Sequence, residues 1–227
     1  MDFSTAMQQL FVGFANTLLL FFITLILALP LGLLISLGSL SKFKPLKILV
    51  KTIVWIIRST PLMLQVMFVS LVPRYVFGTY NKQLANFFGV SIKTLMFIFV
   101  AVAFIINYAC YFSEIYRGAI ESVNRGQYEA GEVLGLTKAQ IFKKIVLFQV
   151  IKKIAAPISN EIISLVKDTA LASVLGVVDL YTAANGLVNT YVVLTPLLYA
   201  AAFYLIFNGL LTLLFGYIEK KLSFYKE

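Results

Sequence analysis

The chain has 227 residues, 60% of them hydrophobic and 13% charged, where an ordinary soluble domain carries about 45–50% and about 25%, so the composition excludes a water-soluble module. The single cysteine, Cys110, cannot form an intrachain disulfide, and the absence of histidine removes the commonest metal ligand and proton shuttle, which argues against metal and redox chemistry. The net charge of +9 raises nucleic acid as a partner, a question that the positions of the basic residues decide.

A spanning helix needs about 20 mostly apolar residues, and about five stretches reach that length, so the chain reads as one all-α membrane domain over residues 1–227. The first apolar run follows Asp2 without a preceding basic region and is expected to be retained rather than cleaved. It predicts a span over residues 14–37, interrupted by Pro30, which membrane helices tolerate when neighbours satisfy the freed carbonyl. A basic turn with Lys42, Lys44, Pro45 and Lys47 follows, and the second span is expected over 51–72, interrupted by Arg58, Pro61 and Gln65. A polar connection over 73–93 leads to a third span over 94–111. Residues 113–153 mix charges of both signs with glycines and short amphipathic pieces, which predicts a large loop with helices of its own. The fourth span, 154–178, is the most polar, with Pro157, Asn160, Glu161, Lys167 and Asp168. After a connection over 179–195, the fifth runs over 196–218 and stops at Glu219, Lys220 and Lys221.

Most of the 19 basic residues fall in the first turn, the 113–153 loop and the tail, where Lys220, Lys221 and Lys226 stand. Arg74, Lys82 and Lys93 occupy the opposite face. The positive-inside rule then puts the N-terminus outside and the C-terminus in the cytoplasm. Topology accounts for the basic balance, so nucleic acid is not expected as a partner.

Within the cytoplasmic loop, residues 127–134 hold good helix formers and Gly135 is placed to end the helix. Thr137 with Gln140 three residues on forms a capping-box pattern for a second helix. Two short helices meeting at Gly135 would present Val133, Leu134 and Leu136 on a compact knob. That knob either docks into a partner or lies flat on lipid with the help of Lys143 and Lys144.

Two acids mark the fourth span. Glu161 lies eight residues from Lys153, about 12 Å at 1.5 Å per residue and so near the middle of a hydrocarbon core about 30 Å thick. A charge there is costly, so it is expected to face a polar cavity or an ionic partner such as Arg58 or Lys167. Asp168 is two helical turns further, on a face shared with Ser164 and Leu165. In the second span Arg58 is only seven residues from Lys51, about 10 Å, so it either snorkels to the interface or joins Met63 and Gln65 in contacting a solute. There is no GxxxxGK[ST] phosphate loop and no HExxH, and serine–histidine chemistry lacks its histidine. No catalytic or metal residues are assigned and no cofactor is expected in this chain.

The loop resembles the EAA loop of ABC importer permeases through Glu129, Ala130, Gly131 and Gly135, with Phe142, Ile145 and Leu147 downstream. It is most similar to the polar amino-acid branch of that family, through RSTPLMLQ in the second span, YFSEIYRGAIESVNRGQYEAGEVLG around the loop and NEIISLVKDTALASV in the fourth. Departures are Phe148 where proline is usual, then Gln149 and Val150; Gly131 as the third motif residue; and Ala109-Cys110-Tyr111 where Gly-Ala-Tyr is usual. Loss of the proline restores a backbone donor and would lengthen the helix after the loop.

The resemblance implies a type I importer permease fold and the transmembrane subunit of an ATP-driven amino-acid importer in a bacterial cytoplasmic (inner) membrane. It implies a separate nucleotide-binding subunit carrying ATP-Mg, a second permease chain, identical or related, and an extracellular or periplasmic solute-binding protein. Glu129, Ala130, Gly131, Val133, Leu134 and Gly135 would couple to the ATPase, and the segment with Glu161 would line the solute pathway. An ion-coupled carrier or channel working alone is the alternative, although no internal repeat with paired interrupted helices is visible.

Overall fold

The computed structural model describes residues 2–222, and every regular element among them is helical. Helix α1 (Phe3–Ser39) starts where the Asp2 carboxylate accepts from the Thr5 N–H at 3.3 Å, and it passes through Pro30 unbroken. The cap explains why α1 begins earlier than the apolar run at 14. Its inward face is rich in small residues: Gly13, Thr17, Thr24, Ala28, Gly32 and Ser36 are buried beside Leu10, Leu20 and Phe21, while Phe11, Phe22, Leu33 and Leu34 point outward. Small residues inside and large apolar residues outside suit a helix whose outer solvent is lipid. The stripe brings α1 onto α5 (Ile92–Glu121) so closely that a Cβ at Gly32 would lie 2.8 Å from the Phe112 Cβ and 2.9 Å from the Ala109 carbonyl oxygen. Phe21, Val100, Phe104, Phe112, Leu165 and Val166 complete the core around this contact.

The second expected span is not one helix. It divides into α2 (Lys44–Ser59) and α3 (Leu62–Phe77), which meet at 110°. Proline disfavours helical backbone in the residue before it, and Thr60 is accordingly extended, at φ −111° and ψ 142°. Pro61 then starts α3 as its cap, a position whose N–H no bond within α3 requires.

The loop expected over 113–153 is also redrawn. Residues 113–121 continue α5, because Arg117 pairs with Glu114 and with Glu121 at the three- and four-residue spacings that steady an exposed helix. After α6 (Arg125–Val133) and α7 (Lys138–Ile141), a π-helical turn (Phe142–Val146) leads directly into α8 (Leu147–Asp168). The helix thus runs unbroken through Phe148, where the usual proline is absent. A 3₁₀ segment (Thr169–Leu175) ends this run.

The two connections are partly helical as well. Helix α4 (Asn81–Phe87) lies in the first, and α9 (Leu180–Tyr191) fills the second. Asp179 caps α9 through the N–H groups of Tyr181 and Thr182, and Leu180, Ala184 and Leu187 pack on Ala6, Leu10 and Ala200. That cap and its apolar spacing were readable; at 12 residues the helix is simply too short for a search for spans. The last helix, α10 (Thr195–Leu222), exposes Leu205, Leu210, Leu213 and Tyr217. Lys226, counted in the basic tail, lies outside the described residues.

By length and apolar character three described helices can cross a bilayer, α1, α5 and α10, and the bent α2–α3 pair makes a fourth. Helix α8 does not reach that standard, since Asn160, Glu161, Lys167 and Asp168 lie within it.

The α1–α5 contact predicts a sharp asymmetry between glycines. Gly32→Val is expected to destabilise the protein by about 1–3 kcal/mol, the range for overpacking. Gly209→Ala, inside α10 with open space around it, should leave the melting temperature in detergent the same or slightly higher, since alanine favours the helix.

Candidate functional site

The break in the α2–α3 pair opens a cavity of about 410 Å³, lined by Arg58, Ser59, Thr60, Pro61 and Leu62 at the break, by Asn107, Tyr108 and Tyr111 of α5, and by Glu161, Ser164 and Asp168 of α8. The volume falls within the roughly 300–1,000 Å³ of small-molecule sites. Glu161, Ser164 and Asp168 face it together because their spacing of three and four residues keeps them on one side of α8.

Side chains do the work of the missing backbone at the break. The Gln65 amide donates to the carbonyls of Ile57 at 2.7 Å and Thr60 at 3.0 Å, and to the Thr60 hydroxyl at 2.8 Å. Its own oxygen accepts from the Asn107 amide at 3.0 Å, so the break is tied to α5 through one side-chain pair. On the opposite wall the Tyr108 hydroxyl donates to Asp168 Oδ2 at 2.7 Å.

Charge in the cavity is divided. Arg58 stacks over the Tyr111 ring, 5.0 Å from its centroid, and reaches Glu114 Oε2 at 3.6 Å. Glu161 makes no ion pair within 4.0 Å among the described residues, so neither Arg58 nor Lys167 neutralises it directly. The cavity therefore holds a guanidinium on the α2 wall and two carboxyl groups on the α8 wall, one of them hydrogen-bonded and the other open. Among the described residues no group of three or more His, Cys, Asp and Glu comes together to hold a metal ion.

Of the residues singled out in sequence, Arg58, Glu161, Ser164 and Asp168 meet at this cavity, and three others do not line it. Leu165 is 0% exposed and packs in the core at the edge of the α8 face that carries Glu161 and Asp168. Met63 is 45% exposed and points away after the chain turns at Pro61. Gln65 is spent on the break. Asn107, Tyr108 and Tyr111 were missed; the readable signal was an asparagine with two tyrosines, one and four residues on, inside an apolar run.

The second candidate site is the knob. Gly135 adopts φ +72°, the left-handed conformation that favours glycine, and ends α6. Thr137 and Gln140 cap each other's backbone groups as the sequence suggested. Gly131 is buried, and a Cβ there would meet Ile141 Cγ1 at 2.6 Å, so α6 and α7 touch through a position with room only for glycine. Ile141, Val146 and Val150 pack with Ala119 and Val123 beneath the knob, with Tyr128 and Leu136 partly buried against them. Val133 and Leu134 are left 88% and 75% exposed. Glu129 and Ala130 stand on the exposed side of α6. Gln149 donates to Gln127 at 3.2 Å and Lys153 to the Ser122 carbonyl at 2.9 Å, fixing the knob to the start of α8.

Residues 28–224 match the family described as the binding-protein-dependent transport system inner membrane component. The chain belongs to this family. Among its relatives, the arginine transport system permease protein ArtQ of Bacillus subtilis is 34% identical over 98% of both chains. The L-cystine transport system permease protein TcyB of the same organism is 34% identical over 94% of this chain and 86% of its own. The putative glutamine transport system permease protein GlnP of Rickettsia conorii is 33% identical over 88% of this chain and 86% of its own. A crystal structure of an amino acid ABC transporter with histidines superposes with a TM-score of 0.79 at 29% identity, covering 97% of this permease and 99% of that chain. The methionine transporter MetNI in an inward-facing conformation shares the fold alone, with a TM-score of 0.67 at 18% identity over 98% and 99% of the two chains. The fold is thus that of type I ABC importer permeases, as the EAA-type loop implied.

The wiring of the break predicts that Gln65→Met, which keeps the bulk but removes the amide, costs about 1–3 kcal/mol, because buried Asn107 loses the acceptor of its side-chain amide and the half-buried Ile57 carbonyl loses its shortest donor. Thermal unfolding of the purified permease would register the loss, whereas Met63→Ala should leave it nearly unchanged.

Proposed function

We propose that this permease is the membrane subunit of an ATP-driven amino-acid importer and that the 410 Å³ cavity is its solute site. The observation that carries the reading is the divided charge of the cavity. A zwitterion presents an ammonium and a carboxylate a few ångströms apart, and the cavity presents an open carboxyl at Glu161 across from Arg58. The transport of arginine, L-cystine and glutamine named for the relatives supports the same class of solute. Glu161 receives the positive end of the solute, with Ser164 and Asp168 beside it, so zwitterionic and cationic amino acids are favoured over acidic ones.

Five spans complete the topology, with α8 as the polar one. The polar face of α8 needs a protein surface opposite it in the bilayer, because an intramembrane acid facing lipid is costly. A second permease chain, identical or related, supplies that surface. The N-terminus lies outside and the basic segment between α5 and α8 lies in the cytoplasm of a bacterial cell, which puts the knob on the side of a separate ATPase subunit holding ATP-Mg. Val133 and Leu134 are the apolar contacts offered to it, and Glu129, Ala130, Gly131 and Gly135 set their position. An extracellular or periplasmic binding protein delivers the solute. No cofactor is assigned to this chain.

The deciding experiment is uptake of a panel of labelled amino acids by the complex reconstituted with its ATPase and binding protein. ATP-dependent accumulation supports the importer, and uptake that follows an ion gradient without the ATPase would replace it with a carrier. Glu161→Gln keeps the size but removes the charge, and is expected to lower uptake at least about tenfold, equivalent to about 1.4 kcal/mol, with assembly and basal ATP hydrolysis intact. A parental KM and maximal rate would make that carboxylate structural. In the knob, Gly131→Trp has to displace Ile141 and is expected to uncouple hydrolysis from uptake while membrane insertion persists; normal substrate-stimulated hydrolysis in that variant would remove the coupling role.

A further inference from the structure

A second cavity, about 440 Å³, adjoins the first, and Arg58 and Ser59 belong to both linings. Its other walls are Lys51, Val54 and Trp55 of α2 and Glu114 and Arg117 of α5. On α5 these positions come after Asn107, Tyr108 and Tyr111, and on α2 they come before Arg58. The second cavity therefore lies toward the end of the molecule where Lys153 meets Ser122.

Arg58 and Glu114 are held unequally. Glu114 accepts two hydrogen bonds from Arg117, at 2.9 and 2.7 Å, and Arg117 is anchored in turn by Glu121. Paired, short guanidinium–carboxylate bonds of this kind are the strong ones. Arg58 has a single 3.6 Å contact with the same carboxylate, with 40% of its side chain exposed, the class of ion pair with the smallest stabilisation. Its ring contact with Tyr111 adds a second weak hold. Arg58 can thus leave Glu114 without stranding that carboxylate, which keeps Arg117. Its backbone lies in the last turn of α2, next to the Ser59–Thr60–Pro61 break, so a change at the break carries the guanidinium with it.

We propose that Arg58 and Glu114 form the partition between the two cavities, a releasable ion pair that closes the way from the solute cavity to the cytoplasmic one. It rests on the reading of the first cavity as the solute site. Closed, the guanidinium bridges from the wall of the first cavity to a fixed carboxylate in the second. Open, it swings with the end of α2 while Glu114 stays on Arg117.

The test is the rate at which a membrane-impermeant maleimide, applied from the cytoplasmic side in inside-out vesicles, labels Ser164→Cys in the assembled complex, with Cys110→Ala as background. Glu114→Gln and Arg58→Gln are each expected to raise the rate about two- to fivefold, the effect an incompletely buried ion pair supports. The double variant should be no faster than either single one, since residues acting as a pair are not additive. Arg58→Lys, which keeps the charge, should stay near the parental rate. An unchanged rate in Glu114→Gln, additive effects in the double variant, or equal rates for Arg58→Lys and Arg58→Gln would each overturn the partition. If Glu114→Gln fails to assemble with the ATPase, the comparison of the two Arg58 variants decides alone. Labelling requires no transport, so a parental complex that takes up no amino acid would defeat the solute assignment while the coupling of Arg58 to Glu114 is still read.

Discussion

Pro61 has no N–H to give, and within a bilayer no water replaces a missing backbone donor. Everything around the cavity follows from how that shortage is met. Thr60 leaves the helix, the carbonyls of Ile57 and Thr60 turn to the Gln65 amide, and Asn107 steadies Gln65 from the far side. The 110° turn that results leaves a hollow where a straight span would have filled the space against α5. It also places Arg58 at the rim of that hollow rather than on a lipid-facing side. A cavity in a membrane protein is usually described by the side chains it contains; here it exists because one amide group replaces the hydrogen bond that a proline deletes.

The opposite strategy holds the rest of the bundle. On the face of α1 that meets α5, glycine, alanine, serine and threonine bring two backbones into direct contact, leaving no room for even one additional methyl group at Gly32. Close packing of this kind resists deformation, since interiors at crystalline density transmit displacement rather than absorb it. The break is held by a few hydrogen bonds between side chains and carbonyls. The molecule thus pairs a rigid contact, α1 on α5, with a soft one, α2 on α3, and its polar residues gather at the soft one.

Sequence revealed the parts of this arrangement that depend on local chemistry. The glycine stop at Gly135, the capping box at Thr137 and the shared face of Glu161, Ser164 and Asp168 are each set by residues within a turn or two of one another, and they stand where spacing puts them. Sequence was silent where two distant segments meet. Nothing in RSTPLMLQ says that Gln65 will bond backward to Ile57 instead of facing a solute, because that choice depends on Asn107, 42 residues on. Leu165 shares the face of Glu161 by spacing, about 40° away at about 100° per residue, yet it lies at the edge of that face and is covered by the core, because which neighbour meets the edge is decided by distant segments. Helix ends were misjudged wherever charge was read as loop. Glu114, Arg117 and Glu121 look like a polar connection when counted, but at three- and four-residue spacings they prolong α5.

The absence of a proline at Phe148 bears on how the knob and the cavity are joined. Residues 138–168 form one helical run, interrupted only by the π turn at Phe142–Val146, so Ile141 beneath the knob and Glu161 in the cavity lie on the same rod, about 30 Å apart at 1.5 Å per residue. A π turn keeps every backbone bond inside the helix while shifting its register, so the rod stays continuous in a region where a proline would have bent it. The close contact of α6 with Ile141 at Gly131 stands at one end of this rod, and Glu161 and Asp168 stand toward the other. The opposite wall of the cavity is the end of α2, which is attached to α5 through Gln65 and Asn107 and to α8 by none of those bonds. The two walls are joined across α5 by the hydrogen bond from Tyr108 to Asp168, while Glu161 and Arg58 face one another with no bond between them, so the distance between those two charges is the one that the surrounding bonds leave unset.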